Sequence, residues 1–361
     1  MFLRAIGETA SGPCYPARNA IPRKNKMQLA RGIAAASTVQ DQIVPSWLKT
    51  QFSSERIHAT GLRLAALVLV VVAVIGLPAF RYPGNVRAIV YATCATGTAA
   101  AGLTLITLSG NLFMLSIGAT SAVATLVFAS TLNHGLLIAV LATLVLGGVI
   151  GFIQGLLVGA AKCNPIITTI AVASIITGLG SLYSNGQTIL GVGDVSWLGV
   201  GQLLPYIPNQ LLVLLGVVLV YEFLIDFTVF GREIRLLGTN PKAAVIAGLR
   251  THSCVVLAYS LAGVAAGLSG ALLASQASEG NLQLGAGLDF DAIAAVLIGG
   301  VSIKGGRGKV SDAAFGALFL SIVGNILLLF NLAYEIQLVV KGLVVLLSVT
   351  IAHFAARSSR K

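Results

Sequence analysis

Uninterrupted apolar runs of about 20 residues recur along most of this chain, each long enough as a helix to cross about 30 Å of hydrocarbon. Only 10% of the 361 residues are charged, against about 25% in soluble domains, and mean hydropathy is +0.92. Such a chain cannot coat itself with polar surface in water. No series of alternating ten-residue strands stands in for the apolar runs, so the spans are helical. The fold class is an all-α polytopic membrane protein with about ten transmembrane helices, one of them short.

The net charge of +11 is a matter of topology rather than of nucleic-acid recognition. Arg4, Arg18, Arg23, Lys24, Lys26, Arg31, Lys49, Arg56 and Arg63 precede the first apolar run, and Arg357, Arg360 and Lys361 end the chain. Positive residues beside spans mark cytoplasmic sides, which places both termini inside. Residues 1–60 read as a basic cytoplasmic leader, 61–354 as the transmembrane domain and 355–361 as a basic tail. The leader is too long before its first span for an ordinary signal peptide, and the part before Met27 reads equally as a miscalled start. Cys14, Cys94, Cys163 and Cys254 form no CxxC pair and are expected to be buried thiols. The histidines lack metal-site spacing, and neither a metal nor a cofactor is expected.

Spans are expected at 64–80, 86–108, 112–131, 136–160, 165–183, 209–226, 253–275, a short 289–300, 311–330 and 335–354. Residues 184–208 form an external, turn-rich stretch with Trp197 and Tyr206 as interface anchors. Gly147, Gly151, Gly155 and Gly159 recur every four residues on one face of the 136–160 span, a stripe that admits a second backbone, and Gly263 and Gly267 repeat the device. Polar residues inside spans are costly and are candidate pathway groups. They are Gln154, for which interhelical bonding is the first reading, together with Asn325, Gln337 and Lys341. Lys341 is expected to snorkel or to pair with a carboxylate such as Asp291, while Asp289 suits a helix start.

Two segments carry shape. In "FGREIRLLGTNPKAAVIAGLRTH" (230–252), Asn240 is a good N-cap, Pro241 suits the first helical position and Gly248 a stop, so a short helix over 242–247 is expected inside. In "DFDAIAAVLIGGVSIKGGRGKV" (289–310), the glycines suggest a phosphate loop. That motif needs Gly, four residues, then Gly-Lys-Ser/Thr, whereas Ile303 stands five before Gly308 and Val310 follows Lys309. The segment is a short helix and a cytoplasmic bend.

These two segments, with "YSLAGVAAGLSG" (259–270), "GALFLSIVGN" (316–325) and "IQLVVKGLVVLLSV" (336–349), resemble the permease subunits of ribose-type ABC sugar importers, in matching order from about 61 to 354. The resemblance implies that 240–248 is the cytoplasmic coupling helix docking on an ATPase, with Asn240, Pro241, Lys242, Ala243, Ala244, Ala247 and Gly248 as its surface. It also implies Asn325, Gln337 and Ser116 as candidate translocation-path residues, and as partners a cytoplasmic ABC ATPase, a periplasmic solute-binding protein and a second permease subunit, in a bacterial inner membrane. The chain departs from the family pattern at "LFMLSIG" (112–118), where Met114 replaces an aspartate and Leu112 a glycine, and at Leu328, where a second asparagine is usual.

The function so implied is that of a non-enzymatic permease for a monosaccharide or small polyol, ATP hydrolysis residing in the partner. An ion- or proton-coupled secondary transporter is the alternative. It would need membrane-embedded carboxylates, whereas Glu222, Asp226 and Glu335 lie near span ends. A membrane enzyme would need a nucleophile–base pair, and no such spacing occurs.

Overall fold

The computed structural model describes residues 78–358 except 112 and 205–206, together with 68, 71 and 73–76. The leader 1–60, eight residues of the expected span 64–80, Tyr206 and residues 359–361 lie outside the described residues. Six helices are long and apolar enough to cross a membrane. They are α1 (Pro83–Leu108), α3 (Leu136–Gly155, continued by a π-turn at Leu156–Ala160), α4 (Pro165–Ser184), α5 (Asn209–Phe227), α8 (Thr251–Ala277) and α10 (Val310–Leu329). Two further apolar helices are short: α2 (Ile117–Thr131) and α9 (Leu288–Ile298), with 15 and 11 residues. At about 1.5 Å per residue they reach only about 22 and 16 Å. The last helix is α11 (Tyr334–Ser358), which runs past the expected end of its span into the start of the tail.

The sequence expectation needs two corrections. The span expected from residue 112 begins five residues later, because Gly110 (φ 79°) turns the chain out of α1 and Phe113–Ser116 stay non-helical. Thr169 Oγ1 accepts from the Leu115 N–H in that break at 3.3 Å, where Met114 is fully buried and Phe113 and Leu115 are half-buried. The segment before Asn240, expected as loop, is a helix α6 (Val229–Thr239). Thr228 caps it by accepting from the Gly231 N–H, and Ile234 and Leu237 bury one face while Arg232 and Leu236 stay outside. The short helix α7 (Pro241–Ile246) follows directly.

The stretch 184–208, expected to be external, is more ordered than its turn residues require. Strand β1 (Ile189–Leu190) is followed by one helical turn at Ser196–Gly199, then a hairpin of β2 (Gln202–Leu204) and β3 (Ile207–Pro208). Strand β4 (Glu279–Gly280), just beyond α8, pairs antiparallel with β1. Asp194 starts the helical turn by accepting from Ser196, and those hydrogen bonds hold its carboxyl below the usual range. Trp197 is exposed, and so is Cys163, against the expectation of a buried thiol.

The core is built on α1 and α8. Helix α8 packs on α3, α1 and α2, while α10 packs on α1 and α9. Almost every α1 residue from Thr93 onward is buried, so the helix is surrounded by protein on all sides. Its hydroxyls are satisfied internally: Thr93, Thr98, Thr104 and Thr107 each donate to the carbonyl four residues back, at 2.7–3.0 Å. The α3–α8 contact is made by backbone. A Cβ on Gly147 would stand 2.1 Å from the Gly263 carbonyl oxygen, and one on Gly151 would stand 2.2 Å from that of Tyr259.

The glycine-rich bend has a structural role. Gly305 and Gly306 hold φ of 86° and 75°, and the Gly306 N–H donates at 2.9 Å to Leu108 O, one of the carbonyls left free where α1 ends. Gly305 also lies against Gly110 and Gly238, so a Cβ there would stand 2.6 Å from the Gly110 Cα. The bend therefore ties the end of α1 to α6.

The α3–α8 contact gives a direct test. Gly151→Leu forces two backbones apart and should cost about 1–3 kcal/mol or more, seen as a lower melting temperature and lower monodisperse yield in detergent. Gly178→Leu is the control, since a Cβ at that position would meet nothing within 4 Å. Equal melting temperatures for the two variants would refute the close-contact reading.

Candidate solute cleft and partner-facing helix

Polar side chains from four helices converge on one cleft of about 240 Å³. Thr96 comes from α1, Asp291 from the first turn of α9, Ser321 and Asn325 from α10, and Gln337 and Lys341 from α11. The rest of the wall is apolar, chiefly Ala88, Ala92, Leu320 and Leu328. Asn325 is held by a reciprocal amide pair with Asn85, at 2.8 and 3.0 Å. Gln337 donates to Leu332 O at 2.9 Å. Gly324 leaves room for the Lys341 stem, its absent Cβ position lying 3.4 Å from Cε.

Lys341 Nζ lies 3.0 and 3.1 Å from the two carboxylate oxygens of Asp291. The pair joins α9 to α11 and stays partly open, the side chains being 23% and 32% exposed. A charge at this depth needs a counter-charge, and of the two sequence readings the ion pair is the one realised. Asp289 points elsewhere. A Cβ on Gly118 of α2 would stand 2.2 Å from its Oδ1, so Asp289 belongs to the α2–α9 contact, and Gly287 is the N-cap of α9.

Ser116 is not among the residues lining the cleft. It is wholly buried at the start of α2 and donates at 2.9 Å to Gln154 Oε1 on α3, which gives Gln154 its interhelical bond. Asn325 and Gln337 are brought together, while Ser116 is placed apart from them.

The opposite end of the bundle carries α7. The cleft follows the first half of α1, whereas the end of α1 meets Gly306 and, through Gly110, Gly238 of α6. Asn240 caps α7 by accepting from the Ala243 N–H at 3.1 Å, Pro241 occupies the first turn, and Gly248 (φ 74°) lies just past the stop. Lys242, Ala243 and Ala247 are exposed. Ala244 is not: at 4% exposure it packs into this chain's own core, which corrects its place on a partner-facing surface. The outward face instead carries Val245 at 62% and Ile246 at 87% exposure, two residues that sequence reasoning passed over. Their signal was an apolar pair at the end of a helix too short to span. Beside α7, Arg235 and Asp226 pair at 2.5 Å, and Cys254 donates to Glu233 at 3.1 Å, joining α6 to α5 and α8. Among the described residues no group of His, Cys, Asp and Glu could hold a metal ion.

Comparison with known proteins identifies the family. The profile of a family described as "Branched-chain amino acid transport system / permease component" matches residues 85–349. The ribose import permease RbsC of Bacillus subtilis (strain 168) is 33% identical over 310 residues, covering 83% of this chain and 96% of the relative. RbsC of Escherichia coli (strain K12) is 31% identical, covering 80% and 91%. The L-arabinose transport permease AraH of the same strain is 30% identical, covering 86% and 96%. No solved structure is significantly similar. The matched span takes in α1 through most of α11, with the cleft and α7 inside it, and the chain belongs to the family of transport permeases that includes these ABC sugar-importer subunits.

Proposed function

We propose that this chain is the membrane subunit of an ABC importer for a monosaccharide or related small polyol, received from a solute-binding protein on the cleft side. An ATPase docks on α7, and a second permease subunit completes the pathway. The observation that carries the reading is α7 itself: a helix of six residues, capped at its start, that offers Val245 and Ile246 at the end of the bundle away from the cleft. An apolar pair held outward on so short an element has a use only when a partner covers it. Arg232, Lys242 and Arg250 lie on this side and favour a cytoplasmic location, with both basic termini inside and the protein in a bacterial inner membrane. The resemblance at 240–248 supports the same assignment. The relatives' ribose and L-arabinose name the solute class. Asn325 and Gln337 line the solute path, while Ser116 acts on it through the packing of α2 against α3.

Two neighbouring variants separate docking from folding. Ile246→Glu changes a residue that is 87% exposed, so the permease should insert and melt as wild type while losing ATPase copurification and uptake. Ala244→Glu buries an unpaired carboxylate in the chain's own core, which costs several kcal/mol, and should lower expression of the permease itself. Pull-down of a stoichiometric ATPase and wild-type uptake with Ile246→Glu would show that α7 is not the docking surface.

A further inference from the structure

We infer that the cleft between α1, α9, α10 and α11 is a binding subsite of the permease itself for one neutral, vicinally hydroxylated solute, with Asp291 and Lys341 as its recognition pair. This deepens the transport reading and rests on it for the solute class.

Size comes first. At about 240 Å³ the cleft is smaller than the pockets of drug-sized ligands, which run to about 300–1,000 Å³. That is the scale of a small solute such as a single sugar ring. Its walls are divided as a sugar is. Ala88, Ala92 and Leu320 offer an apolar surface to C–H groups, while the Asp291–Lys341 pair, Asn325 and Ser321 supply polar groups on the same wall.

Hydrogen-bond chemistry then selects the ligand. Asp291 is an acceptor only, with two oxygens, and Lys341 is a donor only, with three N–H groups. A hydroxyl both donates and accepts, so neighbouring hydroxyls can give one proton to Asp291 and take one from Lys341 without separating their charges. Ser321 and Thr96 add hydroxyls of either sense. The partial exposure of both ends of the ion pair leaves free lone pairs and protons within reach of a solute.

Charge explains what is refused. The pair is electrically balanced, and Asp289, the nearest acid along α9, is turned to Gly118 instead. An anionic solute would compete with Asp291 for Lys341, and a cationic one would compete with Lys341 for Asp291. Either would leave a charge without its partner at membrane depth, which is strongly unfavourable. A neutral polyol meets no such penalty. Sugar acids and amino sugars of the same size are therefore discriminated against by the permease as well as by any delivering protein.

The test uses the full chain in lipid nanodiscs, with its own cysteines replaced and Leu328→Cys placed at the cleft rim as a reporter. D-ribose and L-arabinose should slow methanethiosulfonate labelling of that thiol several-fold, whereas D-gluconate and D-glucosamine at the same concentration should not. Asp291→Asn combined with Lys341→Met removes both charges together and leaves neither unpaired, so it should express and melt near wild type. In that variant the sugar concentration needed for protection should rise about tenfold or more, as loss of charge-assisted hydrogen bonds requires. Protection at the wild-type concentration in the double variant, or equal protection by D-gluconate, overturns the inference. Uptake by the complete importer is measured alongside. Sugar uptake without protection overturns the subsite and leaves the transport reading standing; protection without uptake of either sugar does the reverse.

Discussion

The close approach of α3 and α8 is the contact on which the rest of the bundle depends. In lipid, apolar side chains gain nothing by leaving one apolar medium for another, so helices associate through packing and polar ties. Here Gly147, Gly151 and Gly155 lie against the backbone of α8 at Tyr259, Gly263 and Val256, and Gly267 lies against Thr143. Side chains then stitch the other faces of α8. Ser269 donates to Ala95 O on α1, Ser121 on α2 donates to Ala266 O, and Tyr221 on α5 donates to Leu261 O, all at 2.7–2.8 Å. The glycine contact with α3 and these ties to α1, α2 and α5 together hold α8 in place.

That core fixes α1, and α1 in turn sets the two functional ends. Its first half lines the cleft and its last carbonyls receive the glycine bend. Helix α9 joins the same two places by a different route. Asp291 in its first turn holds Lys341, and the bend after Gly299 brings Gly305 and Gly306 onto Gly238, two residues before the cap of α7. The cleft and the start of α7 are thereby linked through α9 and the bend by backbone contacts.

Local and chemically obligatory features were legible in the sequence. Asn240, Pro241 and Gly248 mark α7 because capping is decided within one turn. The four-residue glycine period marks a close contact because no other residue allows it, and Lys341 announces a carboxylate partner because a lone charge in lipid is untenable. What escaped depends on tertiary context. Hydropathy cannot distinguish a helix from buried irregular backbone, so the break at Phe113–Ser116 read as span. The charged residues of α6 hid its amphipathic pattern, which buries only Gly231, Ile234, Leu237 and Gly238. On α7, the family resemblance put the alanines on the partner's side, but which side turns inward depends on how the helix sits on the core, and here Ala244 is buried and Ile246 exposed.

The two departures from the family pattern fall in places with different consequences. Met114 stands in the break before α2, fully buried within the main apolar cluster. Replacing an ionisable residue there by methionine removes the demand for a buried counter-charge, while the break itself is kept by Thr169 and by the Ser116–Gln154 bond. Leu328, in contrast, lines the cleft one turn from Asn325. An asparagine at that point would add a donor and an acceptor to the wall, and leucine supplies neither. The exchange leaves that stretch of the wall apolar, beside the Asp291–Lys341 pair on the neighbouring helices. The departure at Leu328 therefore changes the polarity of the cleft wall, whereas the one at Met114 changes how the break before α2 is packed.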